Sequence, residues 1–457
     1  MSDIREIPSV LKRFERVGAH THIKGLGLDE NLQAVRVKDG MVGQEKAREA
    51  AGLIVQMIKE GKLSGRTIVL AGPPGTGKTA IAMAIARELG PNVPFIQMSG
   101  SEVYSSERKK TEVLIEAMRK AIGVEIHEMR KVYEGEVTSL EIRTAQHPYN
   151  PYQRVPESVR LTLKTTKEER AIEAGASIAQ QIIAQGITEG CVIQIDAETG
   201  RVVNLGLSLE SNKGKTYEVD TREKVPRPSG SVLKEKEFVY TLTLDDLDRL
   251  HARNKSGGLF SLLFGFSGSR EIDSEVRAAV DEMVKKMVDE NRAFIHPGVL
   301  FIDDSHLLDL EAFSFLGRAL ESELVPIIIL ATNRGMTTIR GTDVKSPMGF
   351  PLDLLDRAVI IATHEYSPED IKDILRIRAA EEKIRLDEKA LDKLTEIGAS
   401  SSLRYAVQLL SLAAQNAKCM KHEIVTVENV ERVQSLFMDV NQAVDHLKKY
   451  EMKMLYH

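Results

Sequence analysis

Eight residues, Gly72-Pro73-Pro74-Gly75-Thr76-Gly77-Lys78-Thr79, constrain this chain more than any other stretch of it. They satisfy the spacing G-x-x-x-x-G-K-[ST], which works only between a strand and a helix. The apolar run Thr67 to Ala71 reads as that strand and Thr79 to Leu89 as that helix. Glycines let backbone N–H groups turn inward and cradle phosphate oxygens at a helix N-terminus. Lys78 then reaches the β/γ-phosphates and the Thr79 hydroxyl is offered to Mg²⁺. The expectation is an ATP site with Mg²⁺; the bland alternative is a Gly-rich turn that opens a helix.

The surrounding pattern places this loop in a sheet protein. Before and after it come a helix (Gln44 to Glu60), a strand (Phe95 to Met98) and a helix (Ser106 to Ile122). Apolar strands alternating with helices argue for a mainly parallel sheet covered on both faces. The pattern changes from 124 to 297. Val159 to Lys164 alternates apolar and polar, and Cys191 to Ile195 and Arg201 to Leu205 flank a hairpin turn at Asp196 to Gly200. With Phe238 to Thr243 these short strands suggest an OB-like barrel. The stretch Gly257 to Gly268 is Gly-rich and apolar, either a partner contact or a crossover. Sheet-and-helix grammar returns in 298–364, so the β-rich block is an insertion in one nucleotide-binding fold. The block 365–457 reads as helices at Pro368 to Lys383, Asp387 to Ile397, Ser402 to Lys418 and Thr426 to Phe437.

Composition narrows the function. The chain has 457 residues, a formal charge of -5, no tryptophan and 5% aromatics, which gives no global nucleic-acid signature and little material for base stacking. Its two cysteines, Cys191 and Cys419, cannot form a disulfide framework. Met1 to Val10 is charged rather than apolar, and no run approaches the ~18 apolar residues of a membrane span. A soluble protein of the nucleus or cytosol, without a membrane partner, is expected.

Further candidates sit at strand ends. Pro297 to Asp303 is a buried strand ending in a carboxylate, and Asp303 is placed to hold Mg²⁺. Asp304 follows it, placed to polarise an attacking water, although a capping role is the alternative. Asn333 ends the strand Pro326 to Asn333 and either orients water or simply turns the chain. Arg357 is either a surface charge or an arginine finger for a neighbouring subunit. Arg404 opens an amphipathic helix and is either solvated or a sensor of the γ-phosphate. His20 and His22 form a His-x-His with no further ligands clustered nearby, weak as a metal site. The alternative is a segment that clamps over the nucleotide.

Taken together, these residues resemble the eukaryotic and archaeal RuvB-like AAA+ ATPases over nearly the whole chain. The marks are Ala19 to Leu28, Gly72 to Ala80, Gly100 to Ser105, Tyr133 to Val137, Ala331 to Gly335, Pro351 to Arg357 and Leu403-Arg404-Tyr405. Pro73 and Tyr104 favour one branch of the family, since the reptin-like branch typically shows Gln and Phe there. The resemblance implies an AAA+ P-loop core (1–123 and 298–364), an inserted OB-like domain (124–297) and a C-terminal helical lid (365–457). It implies a hexameric ring, homomeric or mixed with a reptin-like paralogue, and work in nuclear chromatin-remodelling and histone-acetyltransferase complexes. Assembly of snoRNPs and kinase complexes with co-chaperone factors is also implied, as is DNA or RNA binding through the insert. DNA helicase activity is ascribed to the family. Residue by residue, Lys78 and Thr79 carry phosphate and Mg²⁺, Asp303 is Walker B, Asn333 sensor one, Arg357 the finger and Arg404 sensor two. His20 and His22 match a nucleotide-gating segment.

One position departs. The family reads Asp-Glu-Val-His where this chain reads Asp303-Asp304-Ser305-His306. The catalytic glutamate is an aspartate, so slow turnover with ordinary ATP binding is expected, and faster hydrolysis on Asp304→Glu. Two functions compete: a motor working on DNA or nucleosomes, and a slow nucleotide-gated assembly scaffold. The acidic charge, the few aromatics and the shortened acid lean toward the scaffold.

Overall fold

A computed structural model describes residues 22–62, 67–106, 108–147, 150–210, 224–255 and 271–454. His20 and the Gly-rich stretch Gly257 to Gly268 lie outside the described residues. The chain divides into two compact units. One holds 1–124, 242–283 and 295–457; the other holds 125–241 and 284–294.

The first unit is organised by alternation. Its labelled elements are α1 (Glu45–Lys59), β1 (Thr67–Ala71), α2 (Lys78–Leu89), β2 (Phe95–Ser99) and α3 (Lys110–Lys120). After the insertion come α4 (Leu244–Lys255), α5 (Ser274–Asp289), β3 (Val299–Asp303), α6 (Leu310–Ala319), β4 (Ile327–Thr332) and β5 (Ala358–Ala362). The five strands form one sheet in the order β5–β1–β4–β3–β2, and every neighbouring pair is parallel. Side chains alternate faces along a strand, so a sheet covered on both sides needs apolar residues at nearly every position. Ile68, Leu70, Phe301, Ile329 and Ala331 pack on one face with Ile81 and Ile85 of α2 and Ala51 and Ile54 of α1. Val69, Leu300, Ile302, Ile328 and Leu330 pack on the other with Leu114 of α3 and Phe313 and Leu316 of α6.

The helical lid follows as α7 (Pro368–Glu381), α8 (Glu388–Ser400), α9 (Leu403–Cys419), α10 (Val427–Leu436) and α11 (Val440–Met454). The last of these is a helix that the sequence pattern had not marked. Their starts are written in the sequence. Ser367 and Asp370 form a capping box with Pro368 in the first turn, and Ser402 accepts the Tyr405 N–H at 3.2 Å. Leu375, Leu394, Leu409, Leu410 and Val430 fill the core between these helices.

The second unit is β-rich, as expected. Its strands run in the order Lys224–Val225, Val202–Ser208, Cys191–Asp196, Ile122–His147, Asn150–Lys164, Glu169–Gly175, with Leu233–Thr243 also paired to Ile122–His147. The expected hairpin is present, with Ile195 opposite Val202 in antiparallel register. Burial disfavours charge on Asp196, yet N–H bonds from Thr199 and Glu198 at 3.0 and 2.8 Å hold its carboxyl at about 2. Within 124–297, the stretch read from sequence as inserted, helices absent from that reading appear at Ala176–Ala184, α4 and α5, and α6, outside it, was likewise not marked. The third core helix also starts later than expected, at Lys110 rather than Ser106.

Residues 242–283, read from sequence as part of the inserted block, group with the first unit. Buried charges fasten them. Arg119 of α3 donates to both carboxylate oxygens of the fully buried Asp248 on α4 and to Asp281 of α5 at 2.8 Å. Arg277 of α5 pairs in turn with Glu112 of α3. Removing one partner strands the other's charge in a poorly solvated place. Asp248→Ala should therefore destabilise the first unit by about 3 kcal/mol, read as a lowered urea midpoint for its unfolding. Glu271→Ala, whose partner Lys109 is exposed, should shift that midpoint by well under ~1 kcal/mol.

Candidate active site

Because all five strands run the same way, their carboxyl ends lie along one edge of the sheet. Ala71 of β1 is level with Thr332 of β4 and with Ala362 of β5, and Asp303 of β3 is level with Ser99 of β2. The phosphate loop, Asp303, Asp304 and Asn333 thus all emerge at the same edge. This is where ligands bind in open parallel sheets.

The loop is shaped by contacts only glycine permits. Gly72 donates its N–H to the Thr332 carbonyl at 3.2 Å, and a Cβ there would lie 2.2 Å from Thr363 Oγ1. Gly77 has φ +81°, and a Cβ there would lie 2.4 Å from the Tyr366 hydroxyl. Gly75 has φ +80° with open space around it. Pro73 and Pro74 are exposed, and the Pro73 carbonyl accepts from Thr76 Oγ1 at 2.8 Å and from Lys78 Nζ at 2.7 Å. The buried Thr76 hydroxyl also lies 2.7 Å from Thr363 Oγ1.

Lys78, the first residue of α2, is buried, and its Nζ also donates to the Gly72 carbonyl at 2.9 Å. An ammonium has three N–H donors, so it stands over the loop with one still to give. Burial pulls its pKa down; Asp303 and Asp304 oppose that, and Arg404 adds to it. Those three charges are therefore within electrostatic reach of the phosphate lysine. Arg404 is the second residue of α9, exposed beside the Ser402 cap. Thr79 follows Lys78 and is half-buried. Asn333 is exposed just past β4. Asp303 accepts the Asp304 N–H on Oδ1 at 3.0 Å, and Asp304 takes the left-handed conformation, φ 47° and ψ 40°.

Two candidates stand apart. Arg357 caps the turn Leu352–Asp356 ahead of β5, and its guanidinium pairs with Glu321 at 2.7 Å. Its carbonyl accepts from Thr67, at the amino end of β1. The five residues of β1 separate it from the phosphate loop by about 16 Å. It stands at the opposite edge from its own chain's site. His22 lies beside the lid helix α7, where burial and Arg378 hold its pKa down and Glu381 opposes them. Among the described residues no group of His, Cys, Asp and Glu could hold a metal ion by itself.

Sequence reasoning missed four residues here. Thr363 and Tyr366 support the loop from behind; they follow a strand whose register ends level with Ala71, which the residue types alone do not reveal. Burial and the charge of Asp370 push the Tyr366 phenol up to about 12, so it stays protonated. Arg48, on the apolar face of α1, donates to the carbonyls of Leu26, Gly27 and Val35 at 2.7 Å and of Gly43 at 3.0 Å. A cation among buried alanines is the signal for it. Ser305, fully buried, gave none.

This sheet order and loop define a P-loop ATPase core with a helical lid. The TIP49 P-loop domain model matches residues 16–369 and the TIP49 AAA-lid domain model matches 374–439. RuvB-like helicase 1 of Drosophila melanogaster is 45% identical over 456 residues and 99% of both chains. RuvB-like protein 1 of Arabidopsis thaliana is 45% identical over 455 residues, again 99% of both. RuvB-like helicase 1 of Aedes aegypti is 44% identical over 456. The chain belongs to the TIP49 family of RuvB-like AAA+ ATPases, on the pontin side of it, and is an ATP-hydrolysing enzyme of an oligomeric AAA+ class. Family membership brings ATP and Mg²⁺ with it. No helix of the described residues is long and apolar enough to cross a membrane.

The glycine contacts can be tested separately. Gly75→Ala meets only the left-handed backbone penalty, about 1–2 kcal/mol, or roughly tenfold in ATP affinity. Gly77→Ala adds the collision with Tyr366 and should bind ATP more weakly still. Tyr366→Phe, which removes that hydroxyl, should restore part of the Gly77→Ala loss but none of the Gly75→Ala loss in nucleotide titrations.

Proposed function

We propose that Gly72 to Thr79 bind the triphosphate of ATP, and that hydrolysis is completed only in a ring, where Arg357 serves the neighbouring subunit's site. The observation that carries this reading is the split across the sheet. Lys78, Asp303, Asp304, Asn333 and Arg404 converge at the carboxyl edge, while Arg357 sits at the other.

Each residue has a distinct task. Backbone N–H groups of the loop and the remaining Lys78 donor meet phosphate oxygens. The Thr79 hydroxyl and the Asp303 carboxylate are hard oxygen donors that suit Mg²⁺, and Asp303 keeps Oδ2 for it because Oδ1 holds the Asp304 N–H. The ion, when bound, neutralises charge on the β- and γ-phosphates. Asp304 polarises the attacking water, Asn333 orients it, and Arg404 reads the γ-phosphate from the lid. His22, with His20, belongs to an N-terminal segment that gates nucleotide exchange.

The ring is a hexamer, homomeric or mixed with a reptin-like paralogue. It acts in chromatin-remodelling and acetyltransferase complexes and, with co-chaperone factors, in snoRNP and kinase-complex assembly, mainly in the nucleus with a cytoplasmic share. The resemblance of the motifs supports these assignments. Relatives that carry the name helicase support ATP-driven work on a nucleic acid, and the resemblance of the motifs supports DNA or RNA contact through the insert. A slow, nucleotide-gated scaffold is the second reading, favoured by the net charge of -5 and the short acid at 304. Unwinding of a forked duplex, run beside client pull-downs in ATP and in ADP, separates the two.

Lys78→Ala should weaken ATP binding tenfold to over a hundredfold, since a charge-assisted contact contributes about 1.5–3 kcal/mol. Unchanged titration and turnover would remove the P-loop assignment. Arg357→Ala should keep ATP affinity and lose hydrolysis, and mixed rings with Lys78→Ala should regain part of it. Mixed rings without any recovery would count against an arginine acting across subunits.

A further inference from the structure

We infer that Ser305 is a positioning residue for hydrolysis: its buried hydroxyl fixes the turn that aims the Asp304 carboxylate. This rests on the reading of Asp304 as the group that polarises the attacking water.

Ser305 is fully buried, and its Oγ donates to the carbonyl of Ala331 at 2.7 Å. A buried hydroxyl is unfavourable unless bonded, so this bond is what the site gains from a serine over an apolar side chain of similar size. Ala331 lies in β4, two residues before Asn333. The hydroxyl therefore ties the turn after β3 to the strand that presents the proposed water-orienting amide. On the other side, Gly100, just past β2, donates its N–H to the Asp303 carbonyl at 2.7 Å. A Cβ on Gly100 would stand 2.7 Å from the Asp304 carbonyl, so that strand end closes directly against the turn. The Asp304 carbonyl also accepts from Leu307 at 2.9 Å, and its N–H is held by Asp303 Oδ1. Residues 303–305 are thus fastened to both neighbouring strands of the sheet.

The fastening matters because of what it holds. Asp304 is left-handed, a conformation disfavoured for residues other than glycine and tolerated best by aspartate and asparagine. Such a turn persists where its surroundings enforce it. A short carboxylate has little reach of its own, so its placement is decided by the backbone beneath it. Once the Ser305 bond is gone, the turn keeps its fold through Gly100 and Leu307 but loses its tie to β4. A displacement near 1 Å costs a catalytic group on the order of a hundredfold.

The test is single-turnover hydrolysis at saturating ATP and Mg²⁺, with ATP affinity and ring assembly measured alongside, for Ser305→Ala, Asp304→Asn and the double variant. Ser305→Ala should slow hydrolysis roughly tenfold to a hundredfold with ATP affinity unchanged. Asp304→Asn should be slow, and adding Ser305→Ala to it should slow it no further, because the hydroxyl acts through that carboxylate. Ser305→Cys, which keeps the volume with a weak donor, should fall between wild type and Ser305→Ala. A wild-type rate for Ser305→Ala beside a slow Asp304→Asn overturns the role of Ser305 and leaves that of Asp304 standing. Equal losses from Ser305→Ala in both backgrounds overturn it too, by showing a structural contribution alone. A wild-type rate for Asp304→Asn removes the reading of Asp304 itself. If Ser305→Ala does not fold, a folded Ser305→Cys with an undiminished rate overturns the proposal.

Discussion

Everything about this site follows from five strands pointing the same way. A parallel sheet leaves its edge-of-strand backbone groups on one side, and the chain must satisfy them or use them. Here the end of each strand supports its neighbour: Gly72 donates to Thr332, Thr363 donates to Ala71, and Gly100 donates to Asp303. The same bonds bring a lysine, two aspartates and an amide to one edge of the sheet. None of these groups is positioned by its own loop alone. The apolar residues on both faces of β1, β3 and β4 keep the strands level, and that level fixes which side chains share an edge.

The lid reaches this edge at the starts of two of its helices. Tyr366 sits behind Gly77 just before α7 begins, and Arg404 stands at the start of α9, where its charge is felt at Lys78. Both positions depend on capped helix starts, at Ser367 and at Ser402. A change in the lid's packing is therefore a change in the back wall of the phosphate loop as well as in the charge that Arg404 brings to Lys78.

Much of this was legible in the residues. The strand Thr67 to Ala71 has the bounds its apolar run gave it, because a buried parallel strand needs apolar residues throughout and the loop's first glycine ends it. The capping residues at Ser402 and Thr426 marked helix starts for the same local reason. What was not legible depends on contacts distant in sequence. The grouping of 242–283 with the core rests on Arg119 meeting Asp248, two charges 129 positions apart. The edge on which Arg357 lies depends on strand register. The left-handed turn at Asp304 depends on Gly100 and Ala331, so residue type alone marked the acid and said nothing of its pose. The roles of the site residues are a matter of chemistry that the fold accommodates.

Arg48 carries a consequence of its own. Its guanidinium is buried and bonds to main-chain carbonyls at five places along 26–43, with no carboxylate among those partners. Recognition by carbonyls does not depend on which side chains the held segment carries. The path of that segment is encoded in part in the helix that follows it. Exposed positions such as Val35 and Val37 are free to drift, while Leu26 and Met41 stay in the core and Gly27, whose Cβ would lie 2.5 Å from the Arg48 Nη2, stays without a side chain. One cation thus acts as a shared anchor: changes at the strap's exposed positions are absorbed singly, and loss of the anchor leaves all five carbonyls without their donor at once.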